Sequence, residues 1–482
     1  MTVAVGLDVG TTGVKALAVT PSGDIAARVE HGYPLSTPHP GWSEQDPEDW
    51  WRAAETALAE VSAGHDVVGI GLSGQMHGLV ALDGSDRPLR PAILWNDQRT
   101  GAECTAIEAQ VGLERLIELT GNRALPGFTA PKLLWLRHHE PDSYARISRI
   151  CLPKDYVRLR LTGSWAIDVA DASGTLLFDV AGRAWSREVV DALEIPEQWL
   201  PPALESPDVS GETATGIPVA AGAGDQQSAA LGVGITGPGP ASLVLGTSGV
   251  VFAALPEYRT DQRARVHVFC HAVPGAWEAM GVMLSAAGSL QWLHDTIAPH
   301  VPFDSLLTEA ERWAPGVEGL LFLPYLQGER TPHADPDARG AFTGLHLRHD
   351  RGALVRAVLE GVAFGLRDSL DLLRDLGVEV TSARVSGGGA RSQFWLEICA
   401  SVLGLPIERT VVEEGSAFGA ALLGAVAGGV FADVHQAVKA TVRTHEVVEP
   451  NRDWQEVYAD LRPKFRALYP ALRAVDGAMV EP

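Results

Sequence analysis

The stretch VGLDVGTTGV, Val5–Val14, places a carboxylate inside an apolar strand and follows it with a turn made only of glycine and threonine. The turn, Gly10–Gly13, offers backbone N–H groups and hydroxyls to a phosphate. One turn of this kind is equally explained as a plain hairpin tip in which glycine supplies a positive φ. The neighbouring carboxylate, Asp8, is the residue that separates the two interpretations.

Asp8 needs a partner if its strand is buried. A carboxylate in apolar surroundings is costly unless it is paired or bound to a cation. Beside a phosphate-binding turn, a hydrated Mg²⁺ would be that partner. The alternative is that Asp8 only holds its own turn together. The pattern therefore allows a Mg²⁺–phosphate site, and one copy of it does not establish one.

The same turn recurs about half a chain later. The pattern Gly-Thr-Thr/Ser-Gly-Val occurs at 10–14 and again at 246–250, 236 positions further on. Both copies lie between apolar, β-prone runs, which favours a duplication over chance. Two such turns that face each other would grip a polyphosphate from opposite sides. We predict an α/β protein with two lobes, residues 1–236 and 237–450, each opened by a β-hairpin and joined at the Gly/Pro stretch 237–240.

Other local signals place elements in each half. The sequence Asp46-Pro47-Glu48 predicts a helix start, with Asp as cap and Pro at the first position. In the second half, we expect a strand over Ala383–Ser386 in a second sheet. We also expect helices over Gln393–Leu403 and Ala417–Val426 that pack with this second sheet. Residues 451–482 predict a final helix that could pack on either lobe, including the first.

Asp225 follows a strand and a glycine-rich turn in AAGAGDQQSAALG, Ala220–Gly232. Aspartate is a preferred helix N-cap, which accounts for the residue without any catalytic role. A rigidly held carboxylate can also accept the proton of a substrate hydroxyl. The two roles are compatible, so Asp225 is a candidate general base.

Four further motifs are candidate ligand loops. The three glycines of SGGGAR, Ser386–Arg391, would let the flat ring of a nucleotide approach the backbone, or they form a flexible connection. GQMHG, Gly74–Gly78, follows a strand end, where ligands bind in α/β folds, although its histidine is also explained as a structural residue. WNDQR, Trp95–Arg99, presents groups that hydrogen-bond polyol hydroxyls. GERTPH, Gly328–His333, is either a salt-bridged loop or a cleft loop.

Composition limits the partners of the chain. A formal net charge of −22 over 482 residues opposes nucleic acid and anionic membrane surfaces. The four cysteines are far apart and form no zinc-type spacing, which is typical of reduced thiols in a cytoplasmic protein. The N-terminus lacks the pattern of a signal peptide, and no apolar run is long enough to span a membrane. We therefore expect a cytoplasmic protein that binds small molecules.

Taken together, these stretches resemble the FGGY carbohydrate kinase family. The resembling motifs cover nearly the whole chain in order: GLDVGTTGVK, HPGWSEQDPEDWW, GQMHG, PAILWNDQR, GFTAPKLLWL, LPKDYVRLRLTG, LGTSGV, FLPYLQGERTPH, SGGGARS and GSAFGAALLGA. The resemblance implies the duplicated actin/hexokinase-like (ribonuclease H-like) ATPase fold, with two lobes around a central cleft. It also implies ATP and Mg²⁺ as cofactors.

The resemblance assigns roles to individual residues. Asp225 would be the catalytic base, and Asp8, with Asp225, would organise Mg²⁺. The residues implied for the ATP phosphates are Thr11, Thr12, Lys15, Gly246, Thr247 and Ser248. Those implied for the adenosine are Gly388, Gly389 and Ala390. Those implied for the sugar are Gln75, Met76, His77, Trp95, Asn96, Asp97 and Asp225.

The implied reaction is transfer of the γ-phosphoryl group of ATP to the C5 hydroxyl of D-xylulose. Glycerol-kinase-like members carry Arg-Glu after the glutamine of the sugar loop, whereas Gln75 is followed here by Met76-His77. One departure is Gln226, where many xylulose-phosphorylating members have Asn after the catalytic Asp. Two alternatives stay open: a sister kinase for ribulose, another ketose, a polyol or gluconate, and a non-catalytic actin-like ATP-binding protein. A homodimer is a further expectation.

Overall fold

The computed structural model describes residues 1–412 and 414–478, with side chains as far as 474, and its first half is built on one seven-stranded sheet. The strands of this half, seven in the sheet and eight in four separate pairs, are β1 (Thr2–Val9), β2 (Gly13–Val19), β3 (Ile25–Gly32), β4 (Glu44–Gln45), β5 (Asp66–Gly74), β6 (Val80–Leu82), β7 (Ala92–Ile93), β8 (Arg149–Cys151), β9 (Ile167–Asp168), β10 (Phe178–Asp179), β11 (Ala184–Trp185), β12 (Ala203–Leu204), β13 (Val209–Glu212), β14 (Pro218–Ala220) and β15 (Ala223–Gly224). The helices are α1 (Pro47–Ser62), α2 (Gly101–Val111), α3 (Leu113–Thr120), α4 (Thr129–His139), α5 (Pro141–Tyr144), α6 (Pro153–Thr162), α7 (Val169–Ser173), α8 (Arg187–Ala192) and α9 (Asp225–Gly232).

The second half carries a second seven-stranded sheet. Its strands, with one separate two-stranded pair, are β16 (Gly239–Leu245), β17 (Gly249–Leu255), β18 (His267–Cys270), β19 (Trp277–Met283), β20 (Leu321–Leu323), β21 (Ala341–Thr343), β22 (Val380–Ser386), β23 (Ile407–Thr410) and β24 (Thr444–Val448). The helices are α10 (Ala287–Ile297), α11 (Phe303–Glu311), α12 (Arg351–Asp375), α13 (Gln393–Leu403), α14 (Gly415–Ala427), α15 (Val434–Thr441) and α16 (Arg452–Ala478). Short 3₁₀ turns lie at Glu197–Trp199, Val317–Gly319 and Gly388–Arg391.

The two sheets have the same central topology. In the first, β2 pairs antiparallel with β1 and β3, and β5 pairs parallel with β1 on the other side. In the second, β17 pairs antiparallel with β16 and β19, and β22 pairs parallel with β16. Each half therefore opens with a hairpin whose first strand lies at the centre of a mixed sheet. The duplicated α/β fold predicted from the repeated turn is confirmed.

The repeated turns form because the hairpins close at their glycines. In the first, Gly10 N donates to Gly13 O at 3.0 Å, and Val9 pairs with Val14 across the ladder. In the second, Leu245 pairs with Gly249. Because strands β1 and β16 are the middle strands of their sheets, both turns project at the ends of buried strands.

Helix boundaries follow the sequence signals in most places. Asp46 caps α1, accepting a hydrogen bond from Glu48 N at 3.0 Å, as predicted. Asp225 differs from the cap interpretation, because Gly224 is the N-cap of α9 and Asp225 is the first helical residue. The Asp225 carboxylate is therefore not occupied by capping its own helix.

Helix α14 corrects the assignment of residues 417–426 to the second sheet. It packs on strands β1 and β5 of the first sheet and along α9. Glycines make this approach possible, since a Cβ at Gly6 or Gly71 would overlap backbone carbonyls of α14. The final helix, α16, packs instead on the second lobe, where Tyr458, Leu461 and Phe465 join its core.

A further apolar cluster joins the lobes. Helices α2, α3 and α4 of the first half share this cluster with Val250, Phe252, Phe269 and Met280 of the second sheet. The face of the second sheet that carries those residues consequently looks toward the first lobe. Among the described residues, no helix is both long enough and apolar enough to cross a membrane.

Candidate active site

The first Gly/Thr turn is held by a network of neutral side chains. Thr11 Oγ1 donates to Gln75 Oε1 at 3.2 Å, and Trp95 Nε1 donates to Thr11 Oγ1 at 3.0 Å. Gln45 Nε2 donates to Thr11 O at 2.7 Å, and Tyr33 Oη donates to Gly10 O. The backbone of the turn is thereby fixed, while the side chain of its second threonine, Thr12, stays exposed. Fixed N–H groups of this kind suit an anion.

The second turn is held by backbone groups of its own lobe. Ala286 N and Gly288 N donate to Thr247 O at 2.8 and 3.1 Å, and Ala287 N donates to Gly246 O at 2.8 Å. A Cβ at Gly387 would overlap Leu245, so the SGGGAR turn lies directly against the end of β16. The turn at Gly246–Gly249 and the glycine-rich turn are therefore neighbours.

Asp8 is the last residue but one of strand β1 and lies beside the first turn. Burial raises its pKa above the ordinary range. One carboxylate oxygen, Oδ1, is buried without a hydrogen-bond partner among the described residues. A buried, unsatisfied carboxylate oxygen is an unfavourable arrangement that a bound cation would relieve. The donor chemistry at Asp8 therefore fits Mg²⁺.

Asp225 lies close enough to Asp8 to feel its charge. Burial, followed by the negative charge of Asp8, raises the pKa of Asp225 to about 7. The carboxylate accepts a hydrogen bond from Gln226 Nε2 at 3.4 Å, and its backbone carbonyl accepts one from Ser416 Oγ at 3.2 Å. A carboxylate with a pKa near neutrality is matched to accepting a hydroxyl proton.

A cavity with an empty volume of about 730 Å³ lies between the lobes. Polar and ionisable side chains of both lobes reach it: His77, Trp95, Asp225, Gln226, Ser248, His267 and Arg330. Its apolar wall is formed by Met76, Leu125, Phe128, Val250, Phe269, Met280 and Val282. Because Trp95 holds Thr11 and Ser248 belongs to the second turn, the cavity opens beside both of the repeated turns.

Two neutral histidines face this cavity as acceptors. His77 Nδ1 lies 2.7 Å from Gly174 O and therefore donates, which leaves Nε2 as an acceptor. Burial, then the charge of Lys132, lowers the pKa of His77 to about 3. His267 Nδ1 lies 2.7 Å from Asn122 Oδ1, and the Asn122 amide donates to Thr120 O and Val268 O, which assigns the same tautomer to His267. Two acceptor nitrogens suit the hydroxyls of a polyol.

A second cleft, with an empty volume of about 1120 Å³, joins the lobes at the glycine-rich turn. Lys15 and Arg28 reach it from the first sheet. From the second lobe it is lined by Val385, Ser386, Gly387, Gly388, Ala390, Arg391, Arg409, Thr410, Glu414 and His445. A cationic cleft floored by glycine backbone is suited to a nucleotide.

Family models match both halves of this chain. The N-terminal domain of the FGGY family of carbohydrate kinases matches residues 3–232, and the C-terminal domain of the same family matches residues 241–428.

The chain belongs to the FGGY family of carbohydrate kinases.

Other proteins are similar in sequence to this FGGY kinase over nearly its whole length. It is 41% identical to xylulose kinase from Escherichia coli, over 97% of this chain and 99% of that protein. It is 30% identical to gluconokinase from Bacillus subtilis, over 95% and 94%. The crystal structure of xylulose kinase from Rhodospirillum rubrum superposes with a TM-score of 0.92 at 34% identity, over 98% and 99% of the two chains. Such similarity confirms the two-lobed actin/hexokinase-like fold.

Some predicted FGGY sugar residues lie away from the cavity. Gln75 is buried among the groups that hold the first turn, with Nε2 donating to Gly10 O and to Gln45 Oε1. Asp97 is fully buried, and its oxygens accept from Ser43 N and from Arg99. The prediction that Gln75 and Asp97 contact the sugar directly is therefore corrected: both residues support the loops of the site. Their polar atoms form hydrogen bonds within the protein, and residue type alone does not reveal this.

Two other predicted positions of the FGGY site, Asn96 and Gly389, are not part of the wall of either the cavity or the second cleft. Asn96 is partly buried and does not line the cavity, although its Oδ1 has no hydrogen-bond partner among the described residues. Gly389 is buried against Leu245 and Trp395, whereas Gly388 and Ala390 line the second cleft. Gly389 therefore permits close packing behind the cleft instead of forming its floor.

Sequence reasoning missed the second histidine and left the arginine undecided. His267 lies on β18 in a stretch that carries no motif, so no local signal singles it out. Arg330 belongs to GERTPH, which was open between a salt-bridged loop and a cleft loop. The structure places Arg330 in the cavity wall, so the loop is a cleft loop of this FGGY kinase.

Proposed function

We propose that the protein transfers the γ-phosphoryl group of ATP to the C5 hydroxyl of D-xylulose. The observation that carries this proposal is a cavity between the lobes that gathers Met76, His77 and Asp225 from the first lobe and Ser248 from the second. The similarity to xylulose kinases over the full length supports the choice of sugar. A cavity lined by two acceptor histidines and a near-neutral carboxylate suits a small polyhydroxylated substrate.

In this mechanism Asp225 accepts the proton of the attacking hydroxyl. Phosphoryl transfer has a loose transition state, so catalysis depends mainly on position and on stabilising charge. Because the pKa of Asp225 lies near 7, the carboxylate can take the proton as the new O–P bond forms and release it to solvent afterwards. The ketose hydroxyls are oriented by the Nε2 atoms of His77 and His267.

Asp8, together with Asp225, would hold Mg²⁺. The unpartnered Oδ1 of Asp8 and the mutual closeness of the two carboxylates support this assignment. When bound, Mg²⁺ would neutralise negative charge on the phosphates of ATP. The turns at Gly10–Gly13 and Gly246–Gly249 would hold those phosphates through backbone N–H groups, together with Lys15 in the nucleotide cleft.

The location between two lobes also bears on water. Water competes with the sugar as the nucleophile, and a site open to solvent would hydrolyse ATP. Lobes that close on sugar and nucleotide together would exclude water and bring the reacting groups into line. The cytoplasm, where ATP and reduced cysteines are found, is the compartment we propose, and a homodimer stays a prediction.

A substrate panel with coupled ADP detection tests the proposal. Purified protein is assayed with D-xylulose, D-ribulose, xylitol, glycerol and D-gluconate, with ATP and Mg²⁺ held constant. We expect the highest kcat/KM with D-xylulose and little ADP release without sugar. The second candidate, gluconate, is favoured by the full-length similarity to gluconokinase. A higher kcat/KM with gluconate than with D-xylulose would replace the proposed substrate, and sugar-independent ATP hydrolysis alone would reject a sugar kinase.

A further inference from the structure

Arg330 is directed into the sugar cavity because the residues on both sides of it are tied to the end of β19. Glu329 Oε1 accepts from Leu284 N at 3.0 Å and from Arg330 N at 2.7 Å. Thr331 N donates to Val282 O at 2.9 Å, and Val282 N donates to Thr331 Oγ1 at 3.0 Å. Val282 is itself part of the cavity wall. The backbone of Arg330, between Glu329 and Thr331, is therefore held in place beside the cavity.

Arg330 is a partly buried residue, and its guanidinium is not neutralised by a neighbouring acid. Within the described part of the chain, no carboxylate oxygen lies within 4.0 Å of it. Burial raises the pKa of the adjacent Glu329 to about 8, so this carboxyl group is largely uncharged at neutral pH. Arginine keeps its charge even in such surroundings. The cavity therefore contains a cation with hydrogen-bond donors available to a ligand.

The side chains that line the cavity fall into two groups. His77 and His267 both pack against Phe128, with ring centroids 4.8 and 6.0 Å from that of the phenylalanine. The loop that carries Arg330 is tied close to His267, since Thr331 Oγ1 donates to Arg265 O at 2.9 Å. Asp225 instead begins α9 and is held by Ser416 of α14, the helix that packs on the strand of Asp8. The acidic groups thus mark the reacting end, whereas the arginine and the two histidines mark the other end.

The chemistry of a ketose indicates which part of the sugar lies at the end of the cavity that carries the arginine and the two histidines. A five-carbon 2-ketose closes its furanose ring by using the C5 hydroxyl. Phosphorylation at C5, the reaction proposed above, therefore requires the open-chain sugar, which has a free ketone at C2. A ketone oxygen only accepts hydrogen bonds and a guanidinium only donates them, whereas the histidine Nε2 atoms accept from hydroxyls.

We propose that Arg330 is the residue that binds the C1–C2 end of the open-chain sugar, donating to its ketone oxygen. This role rests on the proposed function and deepens it, because it explains how the site selects the open-chain ketose. With Asp225 at the C5 hydroxyl and Arg330 at C2, the substrate is held at both ends and only one hydroxyl faces the phosphate turns.

The test compares Arg330→Met and Arg330→Lys with the wild-type enzyme. Removing a charge-assisted hydrogen bond is expected to raise KM for D-xylulose about 10- to 100-fold in Arg330→Met. The KM for ATP and kcat should change by less than about threefold, since the phosphate end is untouched. Arg330→Lys, which keeps the charge and loses the fork, should recover part of the sugar affinity. Calorimetric titration of D-xylulose without ATP checks binding apart from turnover.

Arg265→Met is the matched control, because Arg265 adjoins the same loop but pairs with Asp261. It should leave KM for D-xylulose within about twofold of the wild-type value. An unchanged KM for D-xylulose in Arg330→Met, or an equal rise in the KM for ATP, would overturn the proposal. The proposed function is judged separately by wild-type turnover of D-xylulose, so the two failures are distinguishable.

Discussion

Replacing Asp225 with asparagine should abolish sugar phosphorylation and at the same time stabilise the fold at alkaline pH. The isosteric amide cannot accept the hydroxyl proton, so kcat should fall by several orders of magnitude. The same change removes an ionisable group that the folded protein holds next to Asp8 in buried surroundings. Function and stability are therefore expected to move in opposite directions.

The magnitude follows from the pKa of Asp225, which rises from 3.8 to about 7 on folding. Each pKa unit corresponds to about 1.4 kcal/mol, so the ionised carboxylate costs the folded state at most about 4 kcal/mol. The folded state binds the proton more tightly than the unfolded chain. The stability contributed by the protonated form is complete below the unfolded pKa and is lost as the pH rises through about 7. Asparagine does not titrate and avoids this loss.

The assay is urea unfolding of wild type and Asp225→Asn at several pH values, in buffer with EDTA because a cation at Asp8 would relieve the penalty. The variant should unfold at higher urea concentration at about pH 8, with the difference shrinking toward about pH 4. Asp295→Asn is the control, since hydrogen bonds from Gln291 and His294 lower the pKa of that exposed acid. A stability difference that is absent at alkaline pH, or constant across the pH range, would refute the reasoning.

Three further outcomes are expected. Asp8→Asn should raise the Mg²⁺ concentration needed for half-maximal activity by at least about tenfold, and an unchanged Mg²⁺ titration would reject the metal role. Glu278 is fully buried and accepts from Gln227 Nε2 at 3.0 Å, and burial raises its pKa, so we expect a neutral carboxyl group. Glu278→Gln should then leave the free energy of unfolding nearly unchanged while Glu278→Ala lowers it by about 1–3 kcal/mol; equal losses in chemical denaturation would contradict a neutral pair. Trp95→Phe removes the donor to Thr11, so KM for ATP should rise while thermal stability changes little, and an unaffected KM would show that the turn does not need it.

The sheets were predictable from short-range patterns, whereas long-range packing was not. Apolar runs bounded by glycine located β1, β16 and the hairpin turns, because a strand's period and its turn residues are local properties. Helix α13 was predicted with its observed bounds, Gln393–Leu403. The partner of α14 was not predictable, because periodicity indicates which face of a helix is apolar and not which sheet covers it.

The site shows the same division between local and distant information. The turns and Asp225 stand out in the sequence because their residue types are unusual for their positions. Asp97 was misread since its two hydrogen-bonding partners, Ser43 and Arg99, are known only from the fold. The cavity role of His267 depends on Asn122, which lies 145 residues away and sets its tautomer. A motif therefore identifies a ligand loop, while the fold decides which of its side chains face the ligand.

Helix α14 explains why the opening strand carries an acid. Gly6 and Asp8 project from the same face of β1, because side chains alternate along a strand. On that face, α14 packs directly against the strand, since Gly6 leaves no side chain between them. The same helix contacts α9 at Gly232 and Ser228, and its Ser416 hydroxyl donates to the carbonyl of Asp225 at 3.2 Å. One helix from the second half of the chain thus packs beside both carboxylates and helps to set their positions.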